Sequence, residues 1–281
     1  MIIPFSYWGS KTKEYIDVAN HAWGFCLRNP DYTGPLVKLR RWNGSSEDLQ
    51  DFYPDSSGWV SLSEITTFYN GGVSTVQLHT AFDQFGSVNL SRAENDERFS
   101  PEVTDGSGNI YTINGKPSAR FGFNVFGRTG LKTTTNIYTT SNQLLFASKE
   151  STVATFSPFV GFNNPFSFHG ATQNGEAGAS RNNLNDSFPY KLFVNEVLEL
   201  NLPSSVPSQD QLHDLLVDGT LKIVTENYGT PILGSGFVWG ATDPINQDIG
   251  YRGKSSEIII YKGTMSDADI IKNQKILKAS Y

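Results

Sequence analysis

The sequence predicts a mainly β protein built as one large sandwich, and three observations carry that expectation. Its 281 residues include 26 glycines and 13 prolines, with 13% aromatic and only 18% charged residues. That mixture favours many short strands joined by turns over helical bundles. Runs such as Val37-Lys38-Leu39-Arg40 alternate apolar and basic residues, the period of a strand with one wet face. Near the C-terminus, Ser255-Ser256-Glu257-Ile258-Ile259-Ile260-Tyr261 sets three isoleucines in a row without proline, which suits a strand buried on both faces. All-β chains of this length are commonly one domain. The expected division is an N-terminal arm over residues 1–20 and a sandwich over 21–281.

Composition also excludes classes of function. The 22 Lys+Arg against 28 Asp+Glu leave a net charge of −6, which argues against an extended basic surface and predicts no nucleic-acid partner. The single cysteine, Cys26, excludes an internal disulfide framework and reads as a small buried hydrophobe. The first residues carry no basic region ahead of their apolar ones, so no signal peptide is expected. No apolar stretch is long enough to cross a bilayer, so no membrane insertion is expected either. The four histidines, His21, His79, His169 and His213, are isolated and give no metal-ligand spacing. A nucleophile elbow and a phosphate loop are both lacking, and neither a cofactor nor a metal is predicted.

Along the chain, Phe5, Tyr7 and Trp8 form an aromatic cluster that either attaches the arm to a neighbour or caps this chain's own core. The cluster Lys38, Arg40 and Arg41 reads as a solvated strand face. Ser61 with Glu64 has the form of a capping box, and Leu62, Ile65, Phe68 and Tyr69 at helical spacing predict a short helix ending at Asn70-Gly71-Gly72. A strand over 76–82 leads to Asp83, a loop carboxylate for which turn capping is the commonest use. Cation or sugar contact is the alternative. Asp105-Gly106-Ser107-Gly108-Asn109 is a turn cluster lacking the acidic spacing of a calcium loop. Asn114-Gly115 marks a tight turn before a strand with Ala119 and Phe121 inward. Strands are expected at 143–147 and 153–156.

Residues 157–188 admit two readings. They contain Phe162, Phe166, Phe168 and His169, then Asn174, Asn182 and Asn183. These aromatic faces and amides suit a sugar-binding loop, or the phenylalanines fill the sandwich from irregular strands. Residues 191–200 predict a hairpin turning at Asn195-Glu196. A third helix is expected over 208–217 with Leu212, Leu215 and Leu216 buried, and strands over 222–225 and 237–240. Finally, Ser266 and Asp269 predict a capped helix that buries Ile270, Ile271 and Leu277.

Several of these segments, in order, resemble one family. Phe25-Cys26-Leu27-Arg28, then Tyr32-Thr33-Gly34-Pro35 and Arg40-Arg41, then Phe82-Asp83-Gln84, Ile113-Asn114-Gly115-Lys116-Pro117-Ser118-Ala119-Arg120-Phe121, Val194-Asn195 and the Glu257 to Tyr261 strand resemble laminin-G-like, concanavalin A-type jelly-roll modules of phage structural proteins. These modules are related to the catalytic domain of fungal α-L-arabinofuranosidase B. The chain departs from the pattern at Phe85, at Glu196 and at 122–127, a segment without an acid. The resemblance implies a virion protein on a spike, fibre or capsid surface that recognises a host-surface glycan. It also implies contacts with other virion proteins and a homo-oligomer, with a trimer favoured. The alternatives are an arabinofuranosidase-like glycoside hydrolase and a purely structural component. Hydrolysis needs two carboxyl groups about 5 to 10 Å apart; Glu176, Asp186 and Asp243 stand in loops and are eligible, whereas Glu257 reads as structural. No catalytic residue is assigned, because the matching motifs belong to the scaffold.

Overall fold

A computed structural model describes residues 19–70, 74–92, 100–122, 130–133, 135, 137, 142–150, 158–162, 167–169, 190–202, 218–231, 237–240 and 253–281. Strands β1 (Ala19–Gly24), β2 (Val37–Trp42) and β3 (Glu47–Phe52) precede helix α1 (Leu62–Asn70). Next come β4 (Gln77–Ala81), β5 (Leu90–Arg92), β6 (Thr112–Ile113), β7 (Lys116–Pro117), β8 (Ala119–Phe121) and β9 (Leu131–Thr133). They are followed by β10 (Asn142–Glu150), β11 (Pro158–Phe162), β12 (Ser167–His169), β13 (Tyr190–Val194) and β14 (Val197–Leu202). The chain continues through β15 (Lys222–Pro231), β16 (Phe237–Trp239), β17 (Gly253–Lys262) and helix α2 (Asp267–Lys278).

The strands form two large antiparallel sheets. One has seven strands in the order β1-β17-β10-β15-β13-β14, with β8 also paired to β17. The other has eight in the order β12-β11-β16-β9-β5-β4-β2-β3. The protein is therefore mainly β, as its composition predicts. Two helices occur among the described residues. The expected helix over 208–217, the strand over 153–156 and residues 1–18 of the arm lie outside them.

Alternation along β17 explains how the layers stack. Ile258 and Ile260 join a core shared between the sheets, with Trp23, Leu39, Leu78, Leu90, Phe121 and Trp239. Ile259 and Tyr261 point the other way, into a second cluster with Phe193, Ile223, Ile270 and Leu277. Helix α2 thus covers the face of the seven-stranded sheet that the eight-stranded sheet does not. This is why a continuous apolar run is needed there in place of an alternating one. The helix starts at Ser266, whose hydroxyl accepts from Asp269 N at 3.2 Å. Ile270 and Leu277 are buried, while Ile271 is only half-buried. In α1, Glu64 N donates to Ser61 Oγ at 3.4 Å, and Ile65 and Phe68 are buried.

Both predicted tight turns carry the positive-φ pair that two-residue hairpins require. Asn114 and Gly115 have φ of 48° and 78°, and Asn195 and Glu196 have 47° and 78°. Glu196 occupies a position that glycine would fill without strain, and α2 supports it there. Its N–H donates to Gln274 Oε1, and its carboxylate lies 3.7 Å from Lys278 Nζ. The Gln274 Nε2 group in turn donates to Ile223 O at 3.0 Å and Thr225 Oγ1 at 2.8 Å. One buried amide therefore fixes helix, hairpin and sheet together.

A charged pair closes the seven-stranded sheet onto the loop after β1. Arg28 donates from Nε to Glu257 Oε2 at 2.5 Å and from Nη2 to Oε1 at 2.6 Å. It also reaches Ser280 Oγ at 3.0 Å, and Tyr281 OH donates to Glu257 Oε1 at 3.0 Å. Both charged residues are buried. The neighbouring Cys26 is buried too, and burial pushes its thiol up to about 12, so it acts as a small apolar group. No helix among the described residues is long and apolar enough to cross a membrane.

Removing one partner of such a pair strands a charge in low dielectric, whereas removing both does not. Glu257→Ala is expected to lower the unfolding free energy in urea by about 3–5 kcal/mol, and Arg28→Met with Glu257→Leu by far less. A double variant as destabilised as the single one would contradict this account.

Candidate functional site

The loop after β4 brings Asp83 and Gln84 into the frame of the fold. Asp83 Oδ1 accepts from Phe85 N at 3.1 Å and Ala22 N at 3.4 Å. Oδ2 accepts from Val88 N at 3.3 Å and lies 2.7 Å from His21 Nδ1. The carboxylate has no exposed surface. Gln84 Oε1 accepts from Arg28 N at 2.6 Å, and its Nε2 donates to Cys26 O at 2.8 Å. Together the two side chains tie the loop after β4 to β1 and to the residues that follow it. His21 stacks on Trp23 with centroids 5.2 Å apart, and Trp23 Nε1 donates to Val88 O at 2.8 Å. Asp105 likewise caps its own turn, accepting from Ser107 N at 2.8 Å and Asn109 N at 2.9 Å.

The outward face of the eight-stranded sheet is different in kind. Register places Phe52, Val37, Ala81, Leu90 and Thr133 in one row across β3, β2, β4, β5 and β9, and all of them are buried. The adjacent row, on the opposite face, is Asp51, Lys38, Thr80, Ser91 and Lys132, polar at every position. Strand alternation puts Trp42 and Arg40 of β2 on this face, with Glu47 and Leu49 of β3 and then Tyr53 just beyond it. Trp42, Leu49 and Tyr53 are 38%, 48% and 51% exposed. A polar floor rimmed by exposed aromatic and apolar side chains is the arrangement that suits a hydroxyl-rich ring with apolar faces.

Charges on this face are linked. Arg40 Nη1 donates to Glu47 Oε1 at 2.8 Å, and Arg92 Nη1 lies 3.6 Å from the same oxygen. Lys38 Nζ lies 3.5 Å from Asp51 Oδ1 and 5.8 Å from the centre of the Phe82 ring. His79 Nδ1 is 2.8 Å from Thr80 Oγ1. Burial and then the Arg92 charge hold this imidazole below its ordinary pKa. The cluster Lys38, Arg40 and Arg41 is thus not the solvated strand face that alternation alone predicts. Arg40 is buried, and Arg41 leaves the row altogether. Its guanidinium sits 4.5 Å over the Phe68 ring, donating to Asp48 and to the Phe68 carbonyl. Long cationic side chains find carboxylates across β3, which local sequence does not reveal.

Glu47 and Asp51 of β3 belong to this face, and Glu102 joins it through its bridge to Gln77, the partner of Arg40; burial raises the Glu102 carboxyl above its ordinary pKa. Glu47 and Asp51 stand four residues apart on one strand, about 13 Å along its axis, whereas hydrolytic pairs lie about 5 to 9.5 Å apart. The eligible loop carboxylates Glu176, Asp186 and Asp243 lie outside the described residues, as do Phe5, Tyr7, Trp8, Phe166, Asn174, Asn182 and Asn183. Phe162 belongs to β11, and Phe168 and His169 to β12, at the far end of the same sheet; only their backbones are described. Among the described residues no group of three or more His, Cys, Asp or Glu could hold a metal ion. Sequence reasoning passed over Glu47 and Arg92 and read His79 as isolated, because side-chain contacts between strands, not local spacing, link Glu47 with Arg40 and Arg92.

Gly86 shows how tightly the Asp83 loop is built. A Cβ added there would stand 2.6 Å from Asp83 Oδ2 and 3.4 Å from His21 Nδ1. Gly86→Ala is expected to part the His21–Asp83 pair and to cost about 1–3 kcal/mol, read as a lowered Tm. An unchanged Tm would contradict that close approach.

No family model matches this chain, and no curated protein matches it. Solved structures do. A GH54 α-L-arabinofuranosidase mutant soaked with 4-nitrophenyl α-L-arabinofuranoside is similar at TM-score 0.58 and 14% identity, and a GH54 α-L-arabinofuranosidase soaked with a cyclic sulfate inhibitor at 0.57 and 14%. An arabinofuranosidase complexed with arabinofuranosyl-α-1,2-xylobiose is similar at 0.59 and 13%. Each match covers 96% of this chain and 64% of the other, so the chain spans about two thirds of those proteins' length. At these identities the likeness is one of fold, and the fold is that of the arabinofuranosidases.

Proposed function

We propose that this chain is a concanavalin A-type jelly-roll module that binds a carbohydrate through the outward face of its eight-stranded sheet. On this reading it is a virion protein of a bacteriophage, displayed on a spike, fibre or capsid surface, where it meets a host-surface glycan. The observation that supports binding is the polar row from Asp51 to Lys132 beside the exposed rings of Trp42 and Tyr53. Hydroxyls find hydrogen-bonding partners along the row, and a sugar ring finds an apolar partner at its rim. Placement on a particle, contact with other virion proteins and trimer formation rest on the sequence resemblance.

A glycoside hydrolase is the second reading, and the likeness to arabinofuranosidases holding substrate or inhibitor favours it. Fold alone does not transfer chemistry. The spacing of Glu47 and Asp51 along β3 supports binding over hydrolysis at the described face.

Glycan-array binding by the full chain, run in parallel with hydrolysis of 4-nitrophenyl α-L-arabinofuranoside, separates these readings. Binding without turnover is expected, with Trp42→Ala weakening it by about tenfold, the equivalent of about 1.4 kcal/mol. Nitrophenol release would establish the hydrolase, and silence in both assays would leave a purely structural component.

A further inference from the structure

We propose that the outward face takes an acidic saccharide, its carboxylate held by Lys38, Arg92 and His79 beside the Arg40–Glu47 pair. This rests on the carbohydrate-binding reading and names the class of sugar.

The first observation is charge. The whole chain carries −6, yet this face gathers Lys38, Arg40, His79 and Arg92 around Glu47 and Asp51. Its local balance runs against that of the molecule. The second is how loosely two of these cations are engaged. Lys38 and Arg92 approach their carboxylates only to 3.5 and 3.6 Å, beyond direct hydrogen-bonding distance. Buried pairs such as Arg28–Glu257 close to 2.5 Å, whereas Lys38 and Arg92 share their looser spacing with the exposed Lys275 and Lys278, at 3.9 and 3.7 Å from Glu196. Arg92 shares one oxygen of Glu47 with Arg40, which already holds it at 2.8 Å. An incoming carboxylate meets a guanidinium fork whose geometry matches it and whose present partner is committed to another arginine. Lys38 and Arg92 are both partly exposed, so the ligand reaches them without unfolding anything.

The neighbouring groups say why the anion belongs to a saccharide. Ser91 continues the same row and offers a hydroxyl, and Leu49 pairs with Arg40 across the strands and is exposed. A carboxylate at Arg92 would leave its own ring over these residues. The site is also responsive to acid. The charges that act on His79 are those of Arg92, Glu47, Lys38 and Arg40. Burial and the surplus of cations keep the imidazole neutral until the pH falls below its ordinary range. Protonation then adds a positive charge beside the ligand, so affinity rises as pH falls.

The test is titration of the full chain with oligogalacturonate and with a neutral arabino-oligosaccharide, followed by calorimetry. The acidic oligomer is expected to bind at least tenfold tighter, with an advantage that shrinks in high salt and grows as the pH falls below the ordinary imidazole range. Arg92→Gln should weaken acidic binding by about tenfold, the size expected for loss of one charge-assisted contact. Glu47→Gln removes the carboxylate that competes for the same guanidiniums, and should tighten binding several-fold. Opposite signs cannot both arise from misfolding. Equal binding of the two oligosaccharides, unmoved by either variant, overturns the acidic class and leaves carbohydrate binding standing. Binding of neither overturns both.

Discussion

The buried pair of Arg28 and Glu257 is the constraint around which the rest of the molecule is arranged. Glu257 lies on β17, the strand that β1, β10 and β8 all adjoin, and Arg28 lies in the loop that leaves β1. A bidentate bond between them fixes how that loop crosses the end of the sheet. The same carboxylate receives Tyr281 OH, whose oxygen also stands within hydrogen-bonding distance of Ser148 Oγ of β10. Four segments remote in sequence thus meet at one anion. Its desolvation is costly and is offset only because each oxygen is satisfied. Gly24, beside it, has φ of 143°, and a Cβ there would stand 2.3 Å from Ser256 O. The backbone of β1 lies that close to β17 because glycine allows it.

From this corner the two sheets acquire opposite characters. The seven-stranded sheet is covered twice, by its partner sheet and by α2, and its central strand is apolar at four consecutive positions. On the eight-stranded sheet one row joins the shared core and the alternate row is polar, so each of its central strands presents alternate residues to different surroundings. That obligation makes its outward row available for polar chemistry.

Much of this was legible in the chain itself. Triple isoleucine marked β17, and capping boxes at Ser61 and Ser266 marked both described helices. Asn114-Gly115 and Asn195-Glu196 marked the tight turns. These are local signals, written in the residues that obey them. The site was not legible in the same way. Arg40 looked like a surface residue because alternation says which face a side chain takes, not how deep it lies. Its carboxylate, Glu47, is distant in pairing and weak in strand propensity. His79 and Arg92 come from two further strands. Gln274 sits in a helix whose own pattern predicts nothing about the hairpin it supports. Asp83 and Gln84 stood out in the sequence by resemblance, and their hydrogen bonds give them a part in scaffold geometry.

Strand β3 closes one end of the eight-stranded sheet, and its sequence, Glu47-Asp48-Leu49-Gln50-Asp51-Phe52, is half acidic. A second copy laid alongside it would bring carboxylates of one chain against those of the other, and like charges placed opposite one another disfavour pairing. Where identical chains lie side by side, such a border keeps neighbours from stitching their sheets into one ribbon. Each copy then remains a separate sheet.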